Sequence, residues 1–317
     1  MLGRTVAENY VVVTGASGLL GANLVLEFSR LGHQVAAVYG RHPVNFPGVR
    51  SVPCSLTESG AAVRLLGSMR PAWIVHCAAA TNVDWCESHP VECMRVNAEA
   101  AGALARAARS IGARLVYIST DSVFDGVSGG YRETDPVSPV NHYARSKASG
   151  ESTVLDEMPD ALILRTNIYG WNLQSKHSLA EWALARLEGG EVVPGFRDVT
   201  FSPLLVNDLA SCIRQLLAAG CSGIFHAGAA EPCSKYQFLR QTADIFQLNA
   251  ELVRESSVDR AAFAAPRPHH TWLRVDKISA VLGHAMPSVR DGLVRFRRSR
   301  ENGLSNCLKA AGLGVTT

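Results

Sequence analysis

The sequence is poor in lysine. Of its 31 cations only 5 are Lys, at positions 147, 176, 235, 277 and 309, and the rest are Arg. A position that keeps Lys in such a chain asks for a compact point charge rather than a planar fork. Net charge is also scarce: +3 over 317 residues, with 19% charged residues, is too little to hold nucleic acid or a membrane surface. No apolar run reaches ~18 residues, which excludes a helical membrane span. Met1 to Tyr10 lacks the basic, apolar and small-residue succession of a secretory signal. The 8 cysteines (54, 77, 86, 93, 212, 221, 233 and 307) form no C-x-x-C pair and no metal-like cluster. That argues against a disulfide framework or a bound metal, and for reduced thiols in a cytoplasmic protein.

What is present begins with Val11-Val12-Val13, a continuous β-branched run suited to a strand buried on both faces of a parallel sheet. Thr14-Gly15-Ala16-Ser17-Gly18-Leu19-Leu20-Gly21 follows, then an amphipathic segment from Ala22 to Leu31, with Gly32 placed to end it. In the order strand, glycine turn, helix, Gly15 permits a tight turn, Gly18 lets backbone approach a pyrophosphate, and Gly21 allows close helix–strand packing. The helix N-terminus supplies the anion site. The next strand, Val35 to Tyr39, runs into Gly40-Arg41-His42, and no acid occurs between Glu27 and Glu58. An NAD site would place a carboxylate there for the ribose 2′-hydroxyl, whereas Arg41 suits a 2′-phosphate. NADP(H) is therefore favoured over NAD(H).

Strands are expected at Arg50–Pro53, Trp73–Cys77, Leu115–Ser119 and Ala161–Leu164, and helices at Thr57–Met69 and, Ala-rich and continuous, at Pro90–Ile111. Ala78-Ala79-Ala80, ending a strand, are small enough to let backbone lie against a flat ligand. Ser119-Thr120-Asp121 end another, at the carboxyl edge where open parallel sheets bind ligands. A long polar loop, 122–138, leads to a helix carrying Tyr143 and Lys147, four apart and so on one face, about 5–6 Å apart at Cβ. A cation there is expected to lower the phenol's pKa and make it a proton donor near neutral pH. Past Leu179–Glu188 the strand–helix alternation lapses; Phe201–Leu205, helix Asn207–Ala218 and strand Gly223–His226 are expected to return to the main sheet. The Pro/Arg/His loop Ala264 to His270 is expected to lie far from the sheet, as a lid or phosphate clasp. Arg295, Arg297, Arg298 and Arg300 read as a solvated end, with a tail from about 298 open to disorder.

The fold expected is α/β, a Rossmann-type doubly wound parallel sheet with a smaller, mostly helical C-terminal substrate domain. The division is 1–170 for the NADP-binding part, with roughly 200–230 returning to it, and 171–317 for the substrate part.

Together, the glycine turn, Ser119-Thr120-Asp121-Ser122-Val123-Phe124-Asp125-Gly126, Glu133-Thr134-Asp135-Pro136, Tyr143…Lys147…Gly150-Glu151 and Arg267-Pro268-His269 resemble the extended short-chain dehydrogenase/reductases. Within these the likeness is to the dTDP-4-dehydrorhamnose reductase-like group of nucleotide-sugar reductases, over most of residues 10–295. The resemblance implies Thr120 as the hydroxyl on the substrate carbonyl, Tyr143 as proton donor, Lys147 behind it, and Asn97 near the proton relay. It implies a cofactor site of Gly15, Ser17, Gly18, Leu19, Leu20 and Gly21, with Arg41, Ser55, Ala78, Ala79 and Ala80. Ser119, Thr166 and Ile168 complete that site with Tyr143 and Lys147. Asn82, Asp121, Ser122, Val123, Asn167, Arg197 and Arg267 are implied around the substrate, a nucleotide sugar or keto-sugar, in a homodimer. Two positions depart from the group. Ser55 stands where relatives carry an Asp against adenine, and Ile168 where rhamnose-forming reductases carry a Trp against the sugar. Two alternatives stay open: a reductase or epimerase of this fold on another carbonyl compound, and a non-catalytic NADP-binding regulatory subunit.

Overall fold

The computed structural model describes residues 10–313; the expectations for residues 1–9 and 314–317 lie outside that range. The first half of the chain alternates strand and helix. It runs β1 (Tyr10–Thr14), α1 (Leu19–Arg30), β2 (Gln34–Tyr39), β3 (Arg50–Pro53), α2 (Ala61–Met69) and β4 (Trp73–His76). Then come α3 (Val83–Ser88), α4 (Pro90–Met94), a π turn at Arg95–Glu99, α5 (Ala100–Ser110), β5 (Arg114–Thr120), α6 (His142–Glu157) and β6 (Leu162–Thr166). Short elements follow: β7 (Ile168–Tyr169), α7 (Leu179–Glu188), β8 (Val193–Phe196), β9 (Thr200–Phe201) and β10 (Leu204–Leu205). The chain then forms α8 (Val206–Ala218), β11 (Gly223–Ala227), β12 (Cys233–Ser234), α9 (Lys235–Ile245) and β13 (Val253–Ser256). It finishes with α10 (Asp276–Leu282), α11 (Val289–Glu301) and α12 (Leu304–Leu313).

Seven strands pair in parallel in the order β3-β2-β1-β4-β5-β6-β11. Successive side chains of β1 explain why a run of three valines is needed. Val11 and Val13 enter a core shared with α1 and α8, while Val12 enters the opposite layer with α2, α5 and α6. The strand order reverses between β1 and β4, so their following loops splay apart and open a crevice at the carboxyl edge.

Three expectations are corrected. Phe201–Leu205 does not join the main sheet; β9 pairs with β12 and β10 with β7, while β11 alone adds the outer strand. The loop 264–270 is not far from the sheet: His269 O accepts from Thr200 N, and Thr271 Oγ1 donates to the buried Asp121 at the end of β5. Nor is the chain beyond 298 an irregular end. The basic residues lie on α11, where Arg295 pairs with Asp208, Arg297 with Glu301 and Arg300 with Glu188. The following helix, α12, buries Leu308 and Ala311 and accepts a bond from Asn45 N at Ala311 O. A composition that reads as polar hid one apolar stripe. Leu308→Ala is therefore expected to destabilise the fold by about 2–5 kcal/mol, read as a lower urea midpoint at unchanged slope.

Candidate active site

The ends of β1, β4, β5 and β6, with the first turns of α1 and α6, converge on the crevice. Gly15 has φ +66°, and a Cβ there would come within 2.6 Å of Ala78 N. A Cβ on Gly21 would fall 2.2 Å from the Gly15 carbonyl oxygen, so the turn and the Ala78 loop can approach only as glycine. Gly18 N donates to Gly15 O and Gly18 begins α1 without a side-chain cap, leaving the N–H groups of that helix start for a ligand. Thr166 Oγ1 and His76 Nε2 are buried at this edge with no partner among the described residues. A bare backbone cradle with unpaired polar atoms beside it fits a dinucleotide, held by the glycine turn and by Ala78–Ala80. Arg41 and Ser55 are exposed just past the ends of β2 and β3, the strands on the outer side of β1.

Asn97 ties the crevice to α6. It lies in the π turn that interrupts the expected continuous helix, and its side chain is buried. The amide accepts from Ala80 N at 2.8 Å and donates to Ala80 O at 3.0 Å and to Ser146 Oγ at 2.9 Å. The one-residue widening of the helix turns Asn97 toward the alanine loop, as π turns at functional sites often do. Its carbonyl accepts from the Tyr117 hydroxyl at 2.8 Å.

α6 starts at Asn141, whose side chain caps Ala144 N and donates to Pro266 O, pinning the loop 264–270 to the helix start. Tyr143, the second residue of α6, is half-buried, and Thr120 lies close enough to act on its phenol. Thr120 Oγ1 donates to Asp121 Oδ1 at 3.1 Å and accepts from Ser122 N at 3.2 Å. Asp121 also accepts from Asn167 Nδ2 at 2.9 Å and Thr271 Oγ1 at 2.7 Å. Ser122 Oγ donates to it as well, at 3.2 Å, and burial nonetheless holds its pKa above the ordinary carboxylate value, against those four bonds.

The expectation that Lys147 lowers the phenol's pKa is not met. Burial raises Tyr143 above the ordinary tyrosine value; Thr120 opposes this and the charge of Asp121 adds to it. Lys147 is itself buried, and that brings its ammonium down to about 7, with Glu151 acting in the other direction. Its Nζ sits 3.9 Å over the ring of Tyr117. The pair shares a helix face as expected, but desolvation is the largest influence on each of the two groups. At neutral pH the phenol thus carries its proton, the form a donor needs.

Behind Lys147 lies a charged network that sequence reasoning missed. Glu151 accepts from the Ser119 hydroxyl and from Arg165 at 2.7 Å, with both ionic side chains buried. Arg165 also stacks over Phe124 at 5.1 Å. Gly150 admits the Tyr117 hydroxyl to 2.2 Å from where a Cβ would stand, so any side chain there would push α6 off its platform. The spacing Tyr143, Lys147, Glu151 repeats every four residues on one face and was the available signal. Tyr117 and Arg165, inside strands, gave none.

Two buried histidines set an acid limit. Burial, then the charge of Lys147, brings His76 down to about 3; burial, then Arg165, does the same to His226. An unfolded imidazole binds its proton near ~6.5. Between these values the unfolded chain holds more protons, so stability falls as pH drops from about 6.5 toward 3. Melting temperature measured from pH 7 to pH 4 is expected to fall less steeply in His226→Gln than in wild type.

Of the other expected substrate residues, Asn82 caps α3 through Trp85 N, and Val123 is buried beneath the loop. Arg267 pairs with Asp84 at 2.9 Å, and Arg197 with Glu255 at 2.7 Å, the latter pair on the surface. Both arginines are already matched by carboxylates.

Residues 9–301 match the family model described as the RmlD substrate binding domain. The chain is 34% identical over 289 residues to a probable low-salt glycan biosynthesis reductase of Haloferax volcanii, covering 90% of this chain and 96% of the relative. It is 33% identical over 298 residues to the methionine adenosyltransferase 2 subunit beta of Bos taurus, covering 87% and 84%. The crystal structure of dTDP-4-dehydrorhamnose reductase from Bacillus anthracis, in complex with NADP, superposes with a TM-score of 0.79 at 28% identity, covering 92% of this chain and 99% of that one. With its seven-stranded parallel sheet and the Thr120, Tyr143 and Lys147 cluster at the sheet's carboxyl edge, the chain belongs to the RmlD substrate-binding domain family.

Proposed function

We propose that the chain is an NADP(H)-dependent reductase of the extended short-chain type, acting on a keto group of a nucleotide sugar of the 4-keto-6-deoxy-hexose kind or a related keto-sugar. The observation that carries this is the placing of the Tyr143 phenol within reach of the Thr120 hydroxyl, at the carboxyl edge that also holds the glycine cradle. NADPH supplies hydride when bound. Gly15, Gly18 and Gly21 would hold its pyrophosphate, and Arg41 the 2′-phosphate that separates NADP from NAD. Thr120 donates to the substrate oxygen as negative charge grows there, and Tyr143 delivers the proton. Lys147, poised near neutrality, replenishes the charge behind Tyr143. Mixing the protein with NADPH and dTDP-4-keto-6-deoxyglucose is expected to consume NADPH; no oxidation across a panel of keto-sugars would overturn the reading.

A second reading, a non-catalytic NADP-binding regulatory subunit, is favoured by the similarity to the methionine adenosyltransferase 2 subunit beta. It predicts cofactor binding without turnover of any keto-sugar. A cytoplasmic homodimer joined through the α5 and α6 faces belongs to the leading reading, and light scattering of a monomer at micromolar concentration would remove that part.

A further inference from the structure

Between Trp171 and α7 the chain crosses the mouth of the crevice. Both ends of the crossing are fixed. The Trp171 carbonyl accepts from Asn23 on α1, and Leu173 is buried against Gly312 of α12. At the far end Ser178 caps α7 in a reciprocal box with Glu181, and its hydroxyl donates to Gly170 O. Between these supports Gln174 is half-buried, while Ser175, Lys176 and His177 are exposed. Asn172 braces the segment from within, accepting from Gln174 N at 3.3 Å and donating to Lys176 O at 2.6 Å.

Two side chains of this segment reach outward. The Gln174 amide donates to Ser17 O at 2.9 Å, in the glycine turn after β1. The Lys176 ammonium donates to Thr81 Oγ1 at 3.0 Å, just past Ala78-Ala79-Ala80 after β4. β1 and β4 are the neighbours between which the strand order reverses, so the two bonds land on opposite walls of the crevice. A dinucleotide held by the glycine turn and by Ala78–Ala80 would occupy the gap that this segment bridges. Each bond is worth little by itself, and an exposed segment held by two such bonds opens at small cost.

We propose that residues 174–177 form a strap over the bound dinucleotide, latched by Gln174 on one wall and Lys176 on the other, and that these two side chains set how fast the cofactor enters and leaves. This rests on the dinucleotide reading of the crevice and needs no turnover for its test, which is stopped-flow fluorescence of NADPH binding to the full chain. Gln174→Met and Lys176→Met each remove one donor at similar length. Each is expected to speed NADPH release about 2- to 10-fold, the worth of one hydrogen bond. The double variant should approach the product of the two, because the latches stand on separate walls. Entry should quicken along with release, so that affinity moves less than either rate. Adenosine 2′,5′-bisphosphate, which lacks the nicotinamide half, should leave every variant at the wild-type rate when displaced by NADPH, and melting temperatures should stay at the wild-type value. NADPH rates equal to wild type in all three variants would overturn the proposal. So would faster release with unchanged entry, or the same acceleration for the bisphosphate. Strap-dependent NADPH release with no reduction of any keto-sugar would leave this inference standing and remove the reductase reading. Reduction with NADPH rates indifferent to both latches would do the reverse.

Discussion

Tyr143→Phe is expected to cut turnover by about a hundredfold to ten-thousandfold, the usual worth of a positioned general acid. The ring stays and only the oxygen that faces Thr120 is lost, so packing around α6 should persist. NADPH affinity should change little, because the glycine cradle is built from backbone at Gly15 and Gly21 and does not involve the phenol. The contrast between kcat and cofactor affinity is the diagnostic measurement. Unchanged turnover would remove Tyr143 from the chemistry, and undiminished cofactor binding in a chain that reduces nothing would favour the regulatory reading. Tyr117→Leu sharpens the test from behind. It removes the ring 3.9 Å beneath the Lys147 ammonium, whereas Tyr117→Phe keeps that ring and loses only the bond to Asn97 O. The Leu variant should therefore displace the pH dependence of turnover toward lower pH, as Lys147 loses its proton more readily, and the Phe variant should displace it less.

The second large effect concerns stability. Arg165 and Glu151 are buried together, bonded at 2.7 Å. Arg165→Met leaves the Glu151 carboxylate without its counter-ion and should cost about 3–5 kcal/mol in urea unfolding. The double variant Arg165→Met, Glu151→Leu removes both charges at similar volume and should recover most of that loss, because neither ion then has to be desolvated. A double variant no more stable than the single would show that the pair contributes net stability. The Ser119 hydroxyl, which donates to Glu151, and His226 Nε2, which meets Arg165, would each lose that partner.

Much of the framework was legible from local pattern. β3 and α7 have the bounds expected of them, and β1, β2, β4, β5 and β6 differ by a residue or two. Buried parallel strands leave unbroken β-branched runs, and a glycine turn between strand and helix has few other uses. The π turn at Arg95–Glu99 was not legible, since it depends on Asn97 finding Ala80 across the crevice and not on any local preference for the wider turn. The loop 264–270 misled for a similar reason. Its prolines and histidines look solvated in isolation, and only the bonds to Thr200, Asn141 and Asp84 draw it against the sheet edge.

The order of residues along the chain was enough to establish the doubly wound sheet, the glycine cradle and the shared face of Tyr143 and Lys147, because each arises from neighbours within a few positions. Which charges are matched depended on the folded arrangement. Desolvation and long-range pairing set it: Glu151 on α6 meets Arg165 from β6, Arg267 meets Asp84, and burial takes Lys147 toward neutrality. Electrostatic energy depends on distance and exposure in space, and sequence separation carries neither.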